Sequence, residues 1–335
     1  LCSEITLPTG VDRDGKQRTA VCCLSSLNLE TYLEWHEHPT FIEDVMRFLD
    51  NVLQSFIDNA GSDFSRATYA AMRERSVGLG VMGFHSFLQQ NNIPIEAVMA
   101  KVWNKKMFKH IRAGADAASK KLAQERGACP DAADYGIMER FSHKIAIAPT
   151  ASISIITGNT SPGIEPIAAN VFLQKTLSGS FSVRNRPLQK VLEKYGKDDE
   201  ETWSSITTTK GSVQHLDFLS QHEKDVYKTA FELDQRWVVE HAADRAPYIC
   251  QSQSINIFLP ANVNKRDLHQ IHYQAWKKGV KSLYYCRSLS IQRADNVSEK
   301  KEKASMLTHA VANDADQPLP MAASSTNYEE CLACQ

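Results

Sequence analysis

Apolar residues recur at helical spacing in several long stretches, with short apolar runs between them. In TFIEDVMRFLDNVLQSFIDNA (40–60), Ile42, Val45, Met46, Leu49, Val52, Leu53, Phe56 and Ile57 repeat with a helical period, which predicts an amphipathic helix. Thr40 followed by Glu43 has the form of a capping box. A longer helix is expected from about Ile95 to Arg126, stopped by Gly127. Further helices are expected over 223–243 and over 266–279, the latter stopped by Gly279. KIAIAPT (144–150), SINIFLP (254–260) and VKSLYY (280–285) read as short strands, and the stretch from Asp198 to Gly211 as a loop-rich surface insertion. Strands alternating with helices predict an α/β domain with mainly parallel strands.

The pattern stops near Ser298. SEKKEK is a charge run, and HAVANDADQPLPMAASSTNYEE has two prolines and no sustained period. Residues 1–297 therefore read as the domain and residues 298–335 as a flexible tail. The tail ends ECLACQ, with Cys331 and Cys334 in C-x-x-C spacing. As a flexible coil, the span from Ser298 to Cys331 reaches roughly 30 Å.

Composition narrows the classes. The 335 residues are 42% hydrophobic and 23% charged, which fits a globular protein with a sizeable core. With 38 basic and 39 acidic residues the net charge is −1, so neither nucleic acid nor an anionic membrane is expected as the main partner. No apolar run approaches the ~20 residues of a membrane span. Eight cysteines are too few for a disulfide scaffold, so a reducing, cytoplasmic setting is expected and C-x-x-C reads as redox or metal chemistry. A four-cysteine zinc site needs a second, correctly spaced pair, and the histidines form no H-x-x-x-H or H-E-x-x-H pattern. No metal site is expected, and Cys331 with Cys334 reads as a redox dithiol.

Several short motifs are weak singly. VGLGVMG (77–83) has G-x-G-x-x-G spacing, but TYAAMRERS before it looks helical; small residues inside a packed helix are the better reading than a dinucleotide fingerprint. In APTASISIITGNTSPGIEP (148–166), a strand ends at Ala148, and Thr150, Ser152 and Ser154 offer hydroxyls and N–H groups suited to phosphate. An ordinary helix cap explains the same residues. LCSEI (1–5) places Cys2 and Glu4 on one side if extended. A carboxylate disfavours a thiolate, so the pair makes more sense for a sulfur radical with a carboxylate base; a buried Cys beside a surface Glu is the bland alternative. The vicinal Cys22 and Cys23 of AVCCLSSLNL, and Tyr284 with Tyr285 in SLYYCRS, are by themselves ordinary core residues. A redox role for the tyrosines needs distorted backbone, because a regular strand points them to opposite faces.

Taken in order, LCSEI, AVCCLSSLNL, RSVGLGVMGFHSFL, APTASISIITGNTSPGIEP, SLYYCRS and ECLAC resemble the C-terminal part of the large, catalytic subunit of class I ribonucleoside-diphosphate reductase. The resemblance implies the C-terminal half of a ten-stranded α/β barrel followed by a flexible tail. It implies that Cys2 becomes a thiyl radical that removes the ribose 3′-hydrogen, that Glu4 takes the 3′-hydroxyl proton, and that Cys22 is one of the pair reducing the 2′ position. Leu1, Cys2, Glu4 and the loop Pro149, Thr150, Ala151, Ser152 and Ile153 would bind substrate. Tyr284 and Tyr285 would pass an electron, and Cys331 with Cys334 would re-reduce the site and be reduced by thioredoxin or glutaredoxin. No cofactor is expected in this chain: a metal-containing small subunit would supply the radical, and nucleotide effectors would bind an upstream part. A catalytic Asn two residues before Cys2 and the redox mate of Cys22 would also lie upstream. The chain is therefore expected to need a complementary N-terminal part, a small subunit and a ribonucleoside diphosphate, within a dimer of large subunits. Two other readings stand beside this one: an inactive docking fragment, and a stand-alone dithiol oxidoreductase.

Overall fold

In the computed structural model of the protein, residues 2–176 and 179–289 are described. Two strand pairs and two isolated bridges build a parallel framework in chain order. β1 (Gly10–Val11) and β2 (Gln17–Arg18) form a small antiparallel hairpin ahead of it. β3 (Cys23–Asn28) then pairs in parallel with β4 (Val77–Met82), Cys23 opposite Val77. Leu79 bridges Ile145, and Ile147 bridges Gln253, both in parallel. β5 (Val171–Thr176) and β6 (Gly179–Arg184) form a second antiparallel hairpin. β7 (Ile257–Pro260) pairs in parallel with β8 (Cys286–Leu289). The segments at 23–28, 77–82, 145–147, 253–260 and 286–289 are thus successive neighbours, and helical connections between them cover the sheet.

The helix Phe41–Asn59 buries Ile42, Met46, Leu49 and Leu53, the stripe its period predicts. Asp50 lies in the same stripe, and its carboxylate receives Arg75, Arg126 and Arg140. Burial alone would push this carboxyl up; the three guanidiniums outweigh it and hold it low. The expected capping box is not formed: the Thr40 hydroxyl donates to the Asp44 carboxylate at 2.8 Å and accepts no N–H from the first turn of the helix. The long helix spans Val98–Arg126 and stops at Gly127 with φ 87°, as expected.

Other expectations need correction. VGLGVM is strand β4, not part of a helix, and it is buried throughout. Its glycines answer to close approach: a Cβ at Gly80 would lie 2.6 Å from the Ala146 carbonyl, and one at Gly78 2.2 Å from Leu24 Cδ2. The 223–243 segment is two helices, Gln221–Val226 and Gln235–Arg245, with non-helical residues between. Residues 198–211 are not loop-rich: Asp199 accepts from Thr202 N and caps the helix Glu200–Thr208. This helix packs Trp203 and Ile206 into a second small core with Leu188 and Leu192. SINIFLP is strand only from Ile257, and VKSLYY is not a strand. Among the described residues, no helix is long and apolar enough to cross a membrane.

Candidate active site

The chain's first described residues run into the middle of the parallel framework. Ser3 N donates to Ser254 Oγ at 3.0 Å, Ser252 N to the Glu4 carbonyl at 2.9 Å, and the Ser282 hydroxyl to the Ser3 carbonyl at 2.9 Å. These bonds stitch residues 3–4 to the segments before β7 and β8. Glu4 is buried, and the Ser254 hydroxyl donates to its Oε2.

Cys2 Sγ lies 4.0 Å from the Tyr284 hydroxyl. The Tyr284 and Tyr285 rings are 4.0 Å apart at 40°. Irregular backbone makes this possible. Tyr284 N donates to Ile255 O, while Tyr285 N turns to the Asn256 side chain at 3.1 Å. Residues 281–285 therefore do not alternate faces as a strand would. Arg287 sits over the Tyr285 ring at 5.5 Å. Burial, then hydrogen bonding of the Tyr284 hydroxyl to Tyr285 and the nearby Cys2, push the Tyr284 phenol well above its usual range, so its proton is retained.

Cys22 precedes β3, and its thiol faces Gln251 Nε2 at 3.6 Å. Burial pushes this thiol up to about 12; the Gln251 amide opposes the shift, while Cys23, Glu4 and Cys250 add to it. Cys23 packs against the apolar core, and burial raises its thiol as well. No disulfide joins the described cysteines.

The Pro149–Ile153 loop leaves the segment that pairs with this region, since Ser254 N donates to Ile147 O at 2.9 Å. Thr150 has φ 58°, a left-handed conformation uncommon for a β-branched residue. Its hydroxyl does not cap the following helix, Ala151–Ile156; it accepts from Gly163 N at 2.6 Å. Ser154 Oγ donates to the Ala151 carbonyl. The side chains of Thr150 and Ser154 thus shape the loop from within.

The structure brings Cys2, Glu4, Tyr284 and Tyr285 into one cluster, with Cys22 within electrostatic range of Glu4. Leu1, Cys331 and Cys334 lie outside the described residues, as does the 298–335 tail. Gln251, Ser254, Asn256 and Glu165 were not singled out from the sequence. For Gln251, Ser254 and Asn256 the signal was the polar run QSQSIN at the head of an apolar strand: Gln251, Ser252, Gln253, Ser254 and Asn256 are all buried. Buried polar side chains in such a place need partners. Among the described residues, no group of three or more His, Cys, Asp or Glu is placed to hold a metal.

The chain matches the family described as ribonucleotide reductase, barrel domain, over residues 1–137 and 131–286. It is 51% identical over 301 residues to the ribonucleoside-diphosphate reductase large subunit of Invertebrate iridescent virus 6, covering 89% of this chain and 31% of that protein. It is 40% identical to the putative large subunit of Frog virus 3, covering 100% of this chain and 54% of that one. Among solved structures it is similar to the Actinobacillus ureae class Id ribonucleotide reductase alpha subunit: TM-score 0.78, 38% identity, 88% of this chain and 54% of that chain. The chain thus spans about half or less of these relatives.

Proposed function

The chain belongs to the ribonucleotide reductase barrel-domain family, and from that premise we propose that it is the C-terminal catalytic part of a class I ribonucleoside-diphosphate reductase large subunit. It acts with an N-terminal part and with a metal-containing small subunit that supplies the radical. The reaction replaces the 2′-hydroxyl of a ribonucleoside diphosphate by hydrogen; two thiols become a disulfide, and water leaves.

The observation that carries this reading is the run from Cys2 Sγ to the Tyr284 hydroxyl at 4.0 Å and on to the Tyr285 ring at 4.0 Å. A path of adjacent redox-active side chains passes an electron in short steps. The raised Tyr284 phenol makes an isolated phenolate costly, so electron and proton move together and the hole arrives at Cys2 as a neutral thiyl. The thiyl removes the 3′-hydrogen. Glu4, fixed by Ser254, takes the 3′-hydroxyl proton. Cys22, held as a thiol by its high pKa, supplies a proton and reducing equivalents with its upstream mate as the 2′-hydroxyl departs. The loop from Pro149 to Ile153 holds the diphosphate through backbone N–H groups, because the hydroxyls of Thr150 and Ser154 are engaged within it.

Regeneration falls to Cys331 and Cys334. Thioredoxin is too bulky to enter a shielded site, whereas a tethered dithiol exchanges there and then outside. Cys2→Ser, in the chain reconstituted with an N-terminal part and a small subunit, tests the central assignment. Assembly and substrate binding should persist and turnover should vanish. Activity above a few per cent would refute the role of Cys2.

A further inference from the structure

Gln251 has no part in the chemistry above, yet its buried carboxamide touches both cysteine-bearing segments. Nε2 donates to Cys22 Sγ at 3.6 Å and to the Val77 carbonyl at 3.1 Å. Oε1 accepts from Thr6 N at 3.1 Å, four residues beyond Cys2. The amide is planar, so these partners are held at fixed separation. Its own backbone is tied down: Gln251 N donates to Ile145 O at 3.1 Å, and Lys281 Nζ donates to Gln251 O at 2.6 Å. Gly78 also approaches this sulfur: a Cβ there would stand 3.0 Å from Cys22 Sγ. The thiol thus has both a glycine and an amide donor as close neighbours.

We propose, on the reading of Cys2 and Cys22 given above, that Gln251 is a positioning residue that locks the Cys2–Thr6 segment to Cys22 and tunes the reactivity of the Cys22 thiol. A donor aimed at sulfur favours the thiolate over the thiol. The same amide fixes how far the reducing thiol stands from the hydrogen-abstracting one, a distance the substrate ribose must fill. Asn cannot replace it without retracting from one partner.

The experiment is a timed iodoacetamide pulse on the reduced chain, reconstituted with its N-terminal part, read by peptide mass spectrometry that resolves Cys22 from Cys23. The exposed Cys286 is the internal reference. Gln251→Met removes the clamp. Gln251→Glu keeps the size and the acceptor for Thr6 N but loses the donor to sulfur. Both should slow Cys22 alkylation about tenfold, the scale of one lost hydrogen bond to a charged group, with Cys286 unchanged. Lys281→Met is the control. It loosens the same segment by removing the ammonium from the carbonyls of Ile249, Cys250 and Gln251, and should leave Cys22 unchanged or faster. If the Gln251 variants also leave Cys22 unchanged or speed it, the residue only packs and the proposal fails. In steady-state nucleotide reduction, kcat should fall with KM little moved; a change in KM alone would also overturn it. If the unsubstituted assembly reduces no ribonucleotide, the functional reading fails, while the alkylation ratio still decides the clamp.

Discussion

Glu165 lies twelve residues after the Pro149–Ile153 loop, and its buried carboxyl faces the backbone N–H of Asn256 at 3.4 Å. Burial pushes this carboxyl up from 4.5 to about 7; the Asn256 amide groups and, farther off, the Arg287 guanidinium hold it back from going higher. Because the folded pKa is raised, the folded state prefers the protonated acid. The stability this group contributes is complete below pH 4.5 and is lost as pH rises to about 7. Relative to a group that never ionises, linkage makes the loss about 1 kcal/mol at pH 5 and about 3 kcal/mol at pH 8. Glu165→Gln keeps the shape and the acceptor for Asn256 N but cannot ionise. Its stability advantage over the parent should therefore grow by about 2 kcal/mol between pH 5 and pH 8. Urea unfolding of the reconstituted assembly at pH 5, 6, 7 and 8, with the m-value checked for constancy, reads this directly. An advantage that does not change with pH, or a variant equally less stable at every pH, would show that Glu165 is not held as a neutral acid.

The two strand glycines separate by what an added methyl would meet. Gly80→Ala meets a backbone carbonyl at 2.6 Å, whereas Gly78→Ala meets the tip of Leu24, a side chain 40% exposed that can swing away. Gly80→Ala should lie at the upper end of the ~1–3 kcal/mol of overpacking and Gly78→Ala at the lower; the reverse order in denaturant midpoints would be wrong for this packing. Tyr284→Phe or Tyr285→Phe should leave substrate binding intact and stop turnover, since each loses only a hydroxyl; loss of binding as well would mark the pair as packing residues. Replacing both Cys331 and Cys334 by Ser should block repeated turnover with thioredoxin but permit one turnover from pre-reduced enzyme, with partial rescue by a small dithiol. Normal cycling of that double variant with thioredoxin would exclude the shuttle.

Long-period patterns carried well from the sequence. The helices Phe41–Asn59 and Val98–Arg126 follow from apolar residues at 3.6-residue spacing and, in the second, a glycine stop, because burying one stripe is a local consequence of the chain. The order of short motifs also identified the family. Where a few residues decide, the reading failed. VGLGVM was read as helical because TYAAMRERS before it is; that helix ends at Glu74, and the glycines of the strand after it are there for Leu24 and Ala146, on segments far away in sequence. Thr40 and Glu43 had the letters of a capping box, yet Thr40 found Asp44 instead. VKSLYY had the composition of a strand, but the Asn256 side chain takes the Tyr285 N–H and breaks the alternation, which lets the two rings meet.

What the sequence determined by itself was the inventory: which thiols, carboxylates and phenols are present, and that helices and parallel strands alternate around them. Only the tertiary structure decided which of them meet. Cys2 and Tyr284 are 282 residues apart, almost the whole described chain, and Cys22 and Gln251 are 229 apart. Their contacts depend on how the parallel segments stand side by side, which is set by non-local pairing that no local period encodes. The pKa values follow the same division. A thiol at Cys22 is ordinary as a letter in the chain; at about 12 it is a property of burial and of Glu4, Cys23 and Cys250 gathered around it, and desolvation is a quantity that exists only once the chain has closed over the group.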